Sequence, residues 1–291
     1  MIYRLDSQQC GNLEVSARRE WLLTNGIGGY AMGTPSGINT RRYHGLLVAA
    51  EKPPSDRVML LASLDVFMQG NGNPIGLSTN QYPGAVYPEG YLYMKSFSVG
   101  KVAIWEYEAE KLNVRKRLFL HPGENAITMD FENTGERPLL LTLRPLVCRK
   151  PHHENFVESP SFPDDLQFHR GSTSILDKGV TLTISHPGAQ RVPVQGWYYR
   201  FEHTSEVDRG LDPRDDLFCP FELRYELRAG EVAILAASDR NEVQPITIPT
   251  EDVSNTIRIQ PMLEDAVKKF IVKTESRTSI IAGYPWFTDW G

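Results

Sequence analysis

The sequence predicts an all-β fold, a large antiparallel β-sandwich (super-sandwich) followed by a C-terminal linker helix. Apolar and polar residues alternate with a period of two over much of the chain between about residues 58 and 240, which is the pattern of half-buried strands. Clusters rich in Gly, Asn and Pro separate these stretches. No helical pattern falls between them, so the strands are expected to pair as antiparallel neighbours.

Several stretches carry the alternating pattern, most clearly 127–132 and 221–228, where apolar and charged or polar residues alternate strictly. The other predicted strands are 58–68, 102–107, 112–120, 139–143, 180–185, 197–203 and 232–237. Two polar, proline-containing segments, 150–165 and 206–216, are long enough to be functional loops.

One helix is predicted after the sandwich. Within 262–273, the apolar residues Leu263, Val267, Phe270 and Ile271 recur at the spacing of one helix face. The aromatic-rich sequence that follows is unlike a natural terminus, which is usually polar. We therefore expect it to be the beginning of another domain.

Charge and composition exclude several functional classes. The 291 residues include 31 basic and 36 acidic side chains, for a formal net charge of −5, and no Lys/Arg cluster offers a surface for nucleic acid or anionic lipid. No apolar run is long enough to span a membrane, and the N-terminus lacks the pattern of a signal peptide. Three widely spaced cysteines suggest neither a disulfide framework nor a metal site. We expect a cytoplasmic protein that binds neither nucleic acid nor membrane.

The most unusual stretch is the glycine-rich segment 20–50, EWLLTNGIGGYAMGTPSGINTRRYHGLLVAA. Its glycines match a dinucleotide-binding spacing, but the proline and glycines that follow oppose the helix that such a site requires. The glycines instead predict tight turns and close backbone approach. Arg41, Arg42, Tyr43 and His44 follow and can line a polar pocket for hydroxyl-rich or carboxylate ligands. Alternatively, these arginines pin the turn or contact a neighbouring domain.

A second candidate patch lies at 148–154, where His152 and His153 precede a glutamate. Metal-binding histidine pairs usually stand at i, i+4 on a helix or alternate on a strand, whereas adjacent side chains diverge. No metal site is therefore predicted, and an exposed loop is the simpler interpretation.

Segment 20–50 closely resembles the opening motif of the N-terminal domain of bacterial and archaeal glycogen debranching enzymes, which are amylo-α-1,6-glucosidases. The sequence IIAGYPWFTDWG at 280–291 is similar to the first residues of that family's catalytic (α/α)6 barrel. The resemblance implies an N-terminal β-sandwich domain at 1–260, a linker helix at 261–276, and the truncated start of the barrel at 277–291.

The resemblance also implies what the chain contains and lacks. Glycoside hydrolysis needs two carboxylic groups, and in this family both lie in the barrel, so the chain alone is expected to be inactive and to need no cofactor or metal. Its role would be to support the barrel of the same polypeptide and to shape the cleft for α-1,6-branched glucan such as glycogen. Lys150 departs from an Arg-Asp-x-His pattern that related enzymes carry in this loop. The candidate substrate-binding or cleft-wall residues are Asn25, Arg41, Arg42, Tyr43, His44, Arg149, His152, His153, Trp286 and Asp289.

Two other functions fit the same residues. One is a free-standing carbohydrate-binding module that recruits α-glucan. The other is a purely structural or protein-interaction sandwich, which predicts an exposed apolar patch near Phe270, Ile281, Trp286 and Trp290. The reading frame downstream of codon 291 distinguishes them, because a debranching enzyme continues there into a helical domain of several hundred residues.

Overall fold

Two large antiparallel sheets form the fold in the computed structural model, which describes residues 3–250, 259–274 and 277–288. The predicted all-β sandwich is confirmed. Numbered in chain order, the strands of the nine-stranded first sheet run β1 (Tyr3–Leu5), β9 (Met94–Val99), β10 (Val102–Ala109), β11 (Leu112–Leu120), β12 (Ala126–Asn133), β19 (Val232–Ser238), β16 (Val180–Ser185), β15 (Ser172–Asp177) and β14 (Asp165–His169).

The second sheet has eight strands and carries the residues on which the functional argument depends. Its order is β17 (Gln190–Glu202), β18 (Arg214–Leu227), β13 (Leu139–Pro151), β5 (Ser55–Gln69), β4 (Gly45–Lys52), β3 (Tyr30–Gly33) and β2 (Trp21–Thr24), with β6 (Ile75–Gly76) paired to β5. Two small hairpins stand apart, β7 (Thr79–Tyr82) with β8 (Ala85–Glu89), and β20 (Ile271–Lys273) with β21 (Thr278–Ile280).

The helices are short and peripheral. They are α1 (Ser7–Cys10), α2 (Leu13–Arg18), α3 (Thr204–Val207), α4 (Ile259–Lys268) and a 3₁₀ turn at Gly90–Tyr93. Asp6 caps α1, accepting a hydrogen bond from the Gln9 backbone N–H while the Gln9 side chain accepts one from the Asp6 N–H. Within the described ranges, no helix is long and apolar enough to cross a membrane.

The main core lies between the two sheets. Inward-facing residues of both sheets, such as Phe97 and Phe131 in the first and Leu143 and Phe221 in the second, are completely buried there. Each buried side chain of this size contributes about 1.5–3 kcal/mol of hydrophobic stabilisation. Every second residue of these strands faces this core, which explains why apolar and polar residues alternate in the sequence.

The second sheet is apolar on its outer face as well. Tyr30, Val48, Met59 and Leu217 belong to a separate buried cluster there. The chain itself covers this face, because the later residues Val272, Ile281 and Tyr284 pack into the same cluster. We call this surface of the second sheet, with its buried cluster, the outer face.

The predicted linker helix is shorter than expected. It spans Ile259–Lys268, whereas Phe270 follows it and Ile271 belongs to β20. The extent predicted for it, 261–276, is therefore wrong at its C-terminal end. The reason is tertiary pairing. The Lys273 N–H donates to the Gly26 carbonyl oxygen at 2.8 Å and the Ile281 N–H to the Phe270 oxygen at 2.8 Å, so packing on the second sheet overrides the helical spacing.

The exposed apolar patch expected near Phe270, Ile281 and Trp286 is formed by other residues. Ile281 is buried and Phe270 and Trp286 are half-buried, while Trp290 lies outside the described residues. The large apolar side chains that are more than half exposed in this region are instead Leu263, Val267, Ile280 and Phe287.

The connection predicted as a loop at 150–165 is shorter in the structure. β13 continues to Pro151, and the hairpin of β14 and β15 follows the shorter connection.

Candidate functional site

Tight glycine turns place the candidate residues at the outer face. Gly28 has a φ of +105°, and a Cβ atom there would collide with the Pro54 carbonyl oxygen, so only glycine fits. The Gly28 carbonyl oxygen accepts a hydrogen bond from Arg57 Nε at 2.8 Å. The glycine-rich segment thus brings the β2–β3 connection against β5.

Arg57 fixes the C-terminal segment 281–288 onto this face. Its guanidinium is buried and donates from Nη1 to the carbonyl oxygens of Pro285 at 3.2 Å and Phe287 at 2.9 Å. It also lies 4.7 Å from the centre of the Tyr284 ring. One cation therefore joins β5, the glycine-rich turn and the segment that resembles the start of a barrel.

Arg41 and His44 converge on Glu20. Arg41 Nε and His44 Nε2 lie 2.5 and 2.9 Å from the same carboxylate oxygen, Glu20 Oε1. Burial alone would raise the pKa of Glu20, but the hydrogen bonds and charges of His44 and Arg41 outweigh it and lower the pKa to about 2. Burial lowers the pKa of His44, against the opposing effect of Glu20. His44 is therefore neutral at pH 7 and donates its Nε2 proton to an ionised Glu20.

Trp286 stands over these residues. The Arg41 guanidinium lies 5.2 Å from the centre of the Trp286 ring, and the Tyr43 ring meets it edge-on at 6.3 Å. Trp286 is half-buried, so part of an aromatic surface remains open beside a cation and a phenol.

Tyr43 also joins the two adjacent histidines to this group. Its hydroxyl lies 3.2 Å from His153 Nδ1, and the His152 and His153 rings are 4.0 Å apart. Burial, followed by the nearby charges of His153 and Arg57, lowers the pKa of His152 to about 4, so this ring is neutral at physiological pH. In the described part of the chain no three potential ligands are grouped for a metal ion.

Arg42 holds loops together beside these rings. It donates from Nη1 to the His153 carbonyl oxygen at 3.1 Å and from Nη2 to the Asp212 oxygen at 3.2 Å. Its Nε lies 3.6 Å from Glu206, whose side chain is completely buried. This matches the alternative expectation of an arginine that pins a turn.

A buried ionic network lies on the same face, where Lys150, His203 and Asp215 meet. Lys150 Nζ and His203 Nε2 both contact Asp215 Oδ2, the latter at 2.8 Å, and Asp215 Oδ1 accepts the Phe156 N–H at 2.7 Å. Burial alone would raise the pKa of Asp215, but Lys150 and then His203 hold it well below its usual range. A small cavity lined by His44, His203 and Asp215, among other residues, links the network to His44.

A family model described as glycogen debranching enzyme N terminal matches residues 19–234. The chain belongs to this family. The matched span contains the Glu20–Arg41–His44 group, Arg57 and the Lys150–Asp215 pair.

Parts of the chain are similar in structure to solved proteins of low sequence identity. They include heparan sulfate lyase HepC from Pedobacter heparinus, 9% identical with a TM-score of 0.35 over 76% of this chain and 31% of that one. A bacterial glucoamylase complexed with acarbose is 9% identical with a TM-score of 0.33, over 81% of this chain and 33% of that one. The chain thus spans about a third of the length of these structures. No curated protein sequence matches it.

The structure brings seven of the ten candidate residues of this family member into one cluster. We call it the Trp286 cluster; its candidate residues are Arg41, Arg42, Tyr43, His44, His152, His153 and Trp286. Asn25 instead bonds to the Asn125 side chain at 3.0 Å in the turn before β12, and Arg149 lies 3.9 Å from Glu51. Asp289 lies outside the described residues.

The acids beside the Trp286 cluster are poorly suited to proton donation. A glycosidase acid must be protonated near neutral pH, which needs a raised pKa. The pKa values of Glu20 and Asp215 are instead lowered by their cationic partners. Glu20 and Asp215 are therefore held as hydrogen-bond acceptors rather than as proton donors.

Proposed function

We propose that this chain is the non-catalytic N-terminal domain of an amylo-α-1,6-glucosidase that cleaves the α-1,6 branches of glycogen or a related α-glucan. In this proposal the chain supports the catalytic (α/α)6 barrel of the same polypeptide, and the Trp286 cluster forms one wall of the substrate cleft. The observation that carries it is the position of Trp286. This residue of the barrel-like sequence lies on Arg41 and Tyr43 of the family motif.

The surroundings of the cluster support a completed cleft. A buried polar atom there, His44 Nδ1, has no hydrogen-bond partner among the described residues. Buried polar groups are normally paired. A bound hydroxyl-rich ligand or a covering domain can supply such partners.

The exposed apolar side chains support a docked domain. Leu263 and Val267 on α4, with Ile280 and Phe287 further along, are each more than half exposed. Leu263 and Val267 stand four residues apart and share one face of α4, and neighbouring exposed apolar side chains are typical of an interface. We assign it to the barrel, which also supplies the catalytic acid and base.

A cytoplasmic location belongs to the same proposal. Its support is that Cys10, Cys148 and Cys219 are free and buried thiols, as expected in a reducing compartment.

Affinity electrophoresis of the 291-residue chain in gels containing glycogen separates this proposal from a free-standing glucan-binding module. A chain that supplies only one side of a cleft binds glucan weakly by itself. We therefore expect its migration in gels with and without glycogen to agree within about 10%. Trp286→Ala should then leave the mobility unchanged. Strong retardation of the chain that Trp286→Ala abolishes would show an independent binding module and contradict the proposal.

A further inference from the structure

Lys116 is a charged residue that points into the sandwich, away from the Trp286 cluster. On β11, residues 112, 114, 118 and 120 face the core between the sheets, and Lys116 has the same parity, so its side chain faces inward too. It stands opposite Trp105 of β10 in the sheet register. Its Nζ lies 4.6 Å from the centre of the Trp105 ring.

This ammonium group is not neutralised by a side chain. Over the residues that the structure describes, Lys116 makes no ion pair and no hydrogen bond. The carboxyl of Asp65 attracts it from beyond ion-pair distance, and this carboxyl accepts a hydrogen bond from Asn80 Nδ2 at 2.9 Å. Burial lowers the pKa of Lys116 to about 8. Lys116 is half-buried, and a partly desolvated charge without a paired carboxylate is stabilised by a counter-ion.

A cavity of about 30 Å³ lies next to the amine. It is lined by Lys116, Trp105, Tyr107, Ser63 and the turn at 34–37, among other residues. A cavity needs about 10–15 Å³ of such volume to hold one water molecule. The space therefore accepts two waters or one group of the size of a carboxylate.

The cavity is preformed. The indole Nε1 groups of Trp21 and Trp105 donate to the carbonyl oxygens of Thr34 at 3.2 Å and Pro35 at 2.9 Å, which holds the turn in place. The Thr34 hydroxyl bonds to Ser36 Oγ and to the Ile38 oxygen. Most hydroxyls of the lining are thus already used.

Among the donors of the lining, the Lys116 ammonium and the hydroxyls of Ser63 and Tyr107 have no hydrogen-bond partner in the part of the chain that the structure describes. One positive charge and these hydroxyls match a monoanion, because the two oxygens of a carboxylate can accept about four hydrogen bonds. A phosphate dianion has more charge and more oxygens than these donors satisfy.

We propose that the cavity between the sheets binds a small monocarboxylate, with Lys116 as its counter-ion and Ser63 as a second donor. This site lies in the sandwich core and is independent of the proposed cleft wall.

Acetate titration of the ¹⁵N-labelled 291-residue chain, followed by NMR of the tryptophan indole N–H groups, tests the proposal. The indole of Trp105 is the reporter because its ring contacts the amine. We expect its signal to shift and saturate below about 100 mM acetate, as for one charge-assisted contact. Sodium chloride at equal ionic strength should cause no saturable shift.

Two variants identify the lysine involved. Lys116→Met should weaken acetate binding by about 10-fold or more. Lys95→Met is the matched control, since Lys95 lies on the surface 3.2 Å from Glu108, and it should bind acetate as the wild type does. In the unchanged chain, binding should weaken above pH 8, where the amine loses its proton.

Three results would overturn the proposal. These are a shift linear in acetate, saturable binding that is equal in Lys116→Met, and wild-type binding that is unchanged from pH 7 to pH 10. Tighter saturation by inorganic phosphate than by acetate would overturn the assignment to a carboxylate. The pH series needs no variant, so it decides the question even if Lys116→Met unfolds.

Discussion

Asp215→Asn is expected to destabilise the chain by about 3–5 kcal/mol, because it leaves the ammonium of Lys150 buried without its counter-charge. The asparagine oxygen can still accept the hydrogen bond that Phe156 N–H donates to Asp215 Oδ1 at 2.7 Å. The loss therefore reports the charge rather than the backbone contact. Urea unfolding followed by far-UV circular dichroism measures it.

Two further variants sharpen this test. Lys150→Met combined with Asp215→Asn should recover at least about half of the loss, because no unpaired charge is then buried. Glu108→Gln, which breaks the exposed pair with Lys95, should cost less than about 1 kcal/mol. An Asp215→Asn loss no larger than that of Glu108→Gln would show that the network is not what holds this face together.

The same prediction has a definite pH dependence. Lys150 and His203 lower the pKa of Asp215 in the folded chain despite its burial. The stabilisation is therefore complete above the unfolded pKa of about 3.9 and is lost as the pH falls through the lower folded value. The difference between wild type and Asp215→Asn should shrink below about pH 4.

Arg57→Met should detach segment 281–288 from the outer face. The substitution removes the hydrogen bonds to the carbonyl oxygens of Pro285 and Phe287 and the contact with the Tyr284 ring. We expect a loss of about 3–6 kcal/mol, since the two hydrogen bonds to this segment come from a charged group and contribute about 1.5–3 kcal/mol each. Hydrogen exchange should show faster exchange of the Ile281 and Phe287 amides.

A matched arginine controls for the loss of charge. Arg117 pairs with Asp130 on the first sheet, at 2.9 Å between Nε and Oδ1, and Arg117→Met should leave exchange in 281–288 unchanged. If Arg57→Met also leaves it unchanged, Arg57 is not the anchor of this segment.

Much of the fold could be predicted because the alternation of apolar and polar residues follows from the geometry of a single strand, whose successive side chains point to opposite faces. Each of the predicted strands is observed, and 112–120 and 180–185 have the predicted bounds. In the missed hairpin, apolar and polar residues alternate only over the five residues 165–169, which begin at the end of the segment predicted as a loop, and 172–177 does not alternate. The helix was extended too far because Phe270 and Ile271 fit a helical spacing, while their structure is decided by distant partners such as the outer face of the second sheet.

The candidate site was predictable only in part for a similar reason. The Arg41–His44 run and Trp286 stand out as local motifs. Lys150 and Asp215 are 65 residues apart, and only the pairing of β13 with β18 brings them together. The sequence did contain a signal for buried charges. A continuous apolar run such as the one after Arg57 is typical of a strand that is buried on both faces, and a charged residue beside such a run must find a partner.

The central claim is that this chain shapes a debranching cleft without catalysing the reaction. Glucose release from a branched limit dextrin by the purified 291-residue chain tests it most directly. We predict release indistinguishable from buffer alone, because Glu20 and Asp215 are held ionised by their partners. Glucose release that disappears on Glu20→Gln or Asp215→Asn, in a variant that remains folded, would contradict the claim.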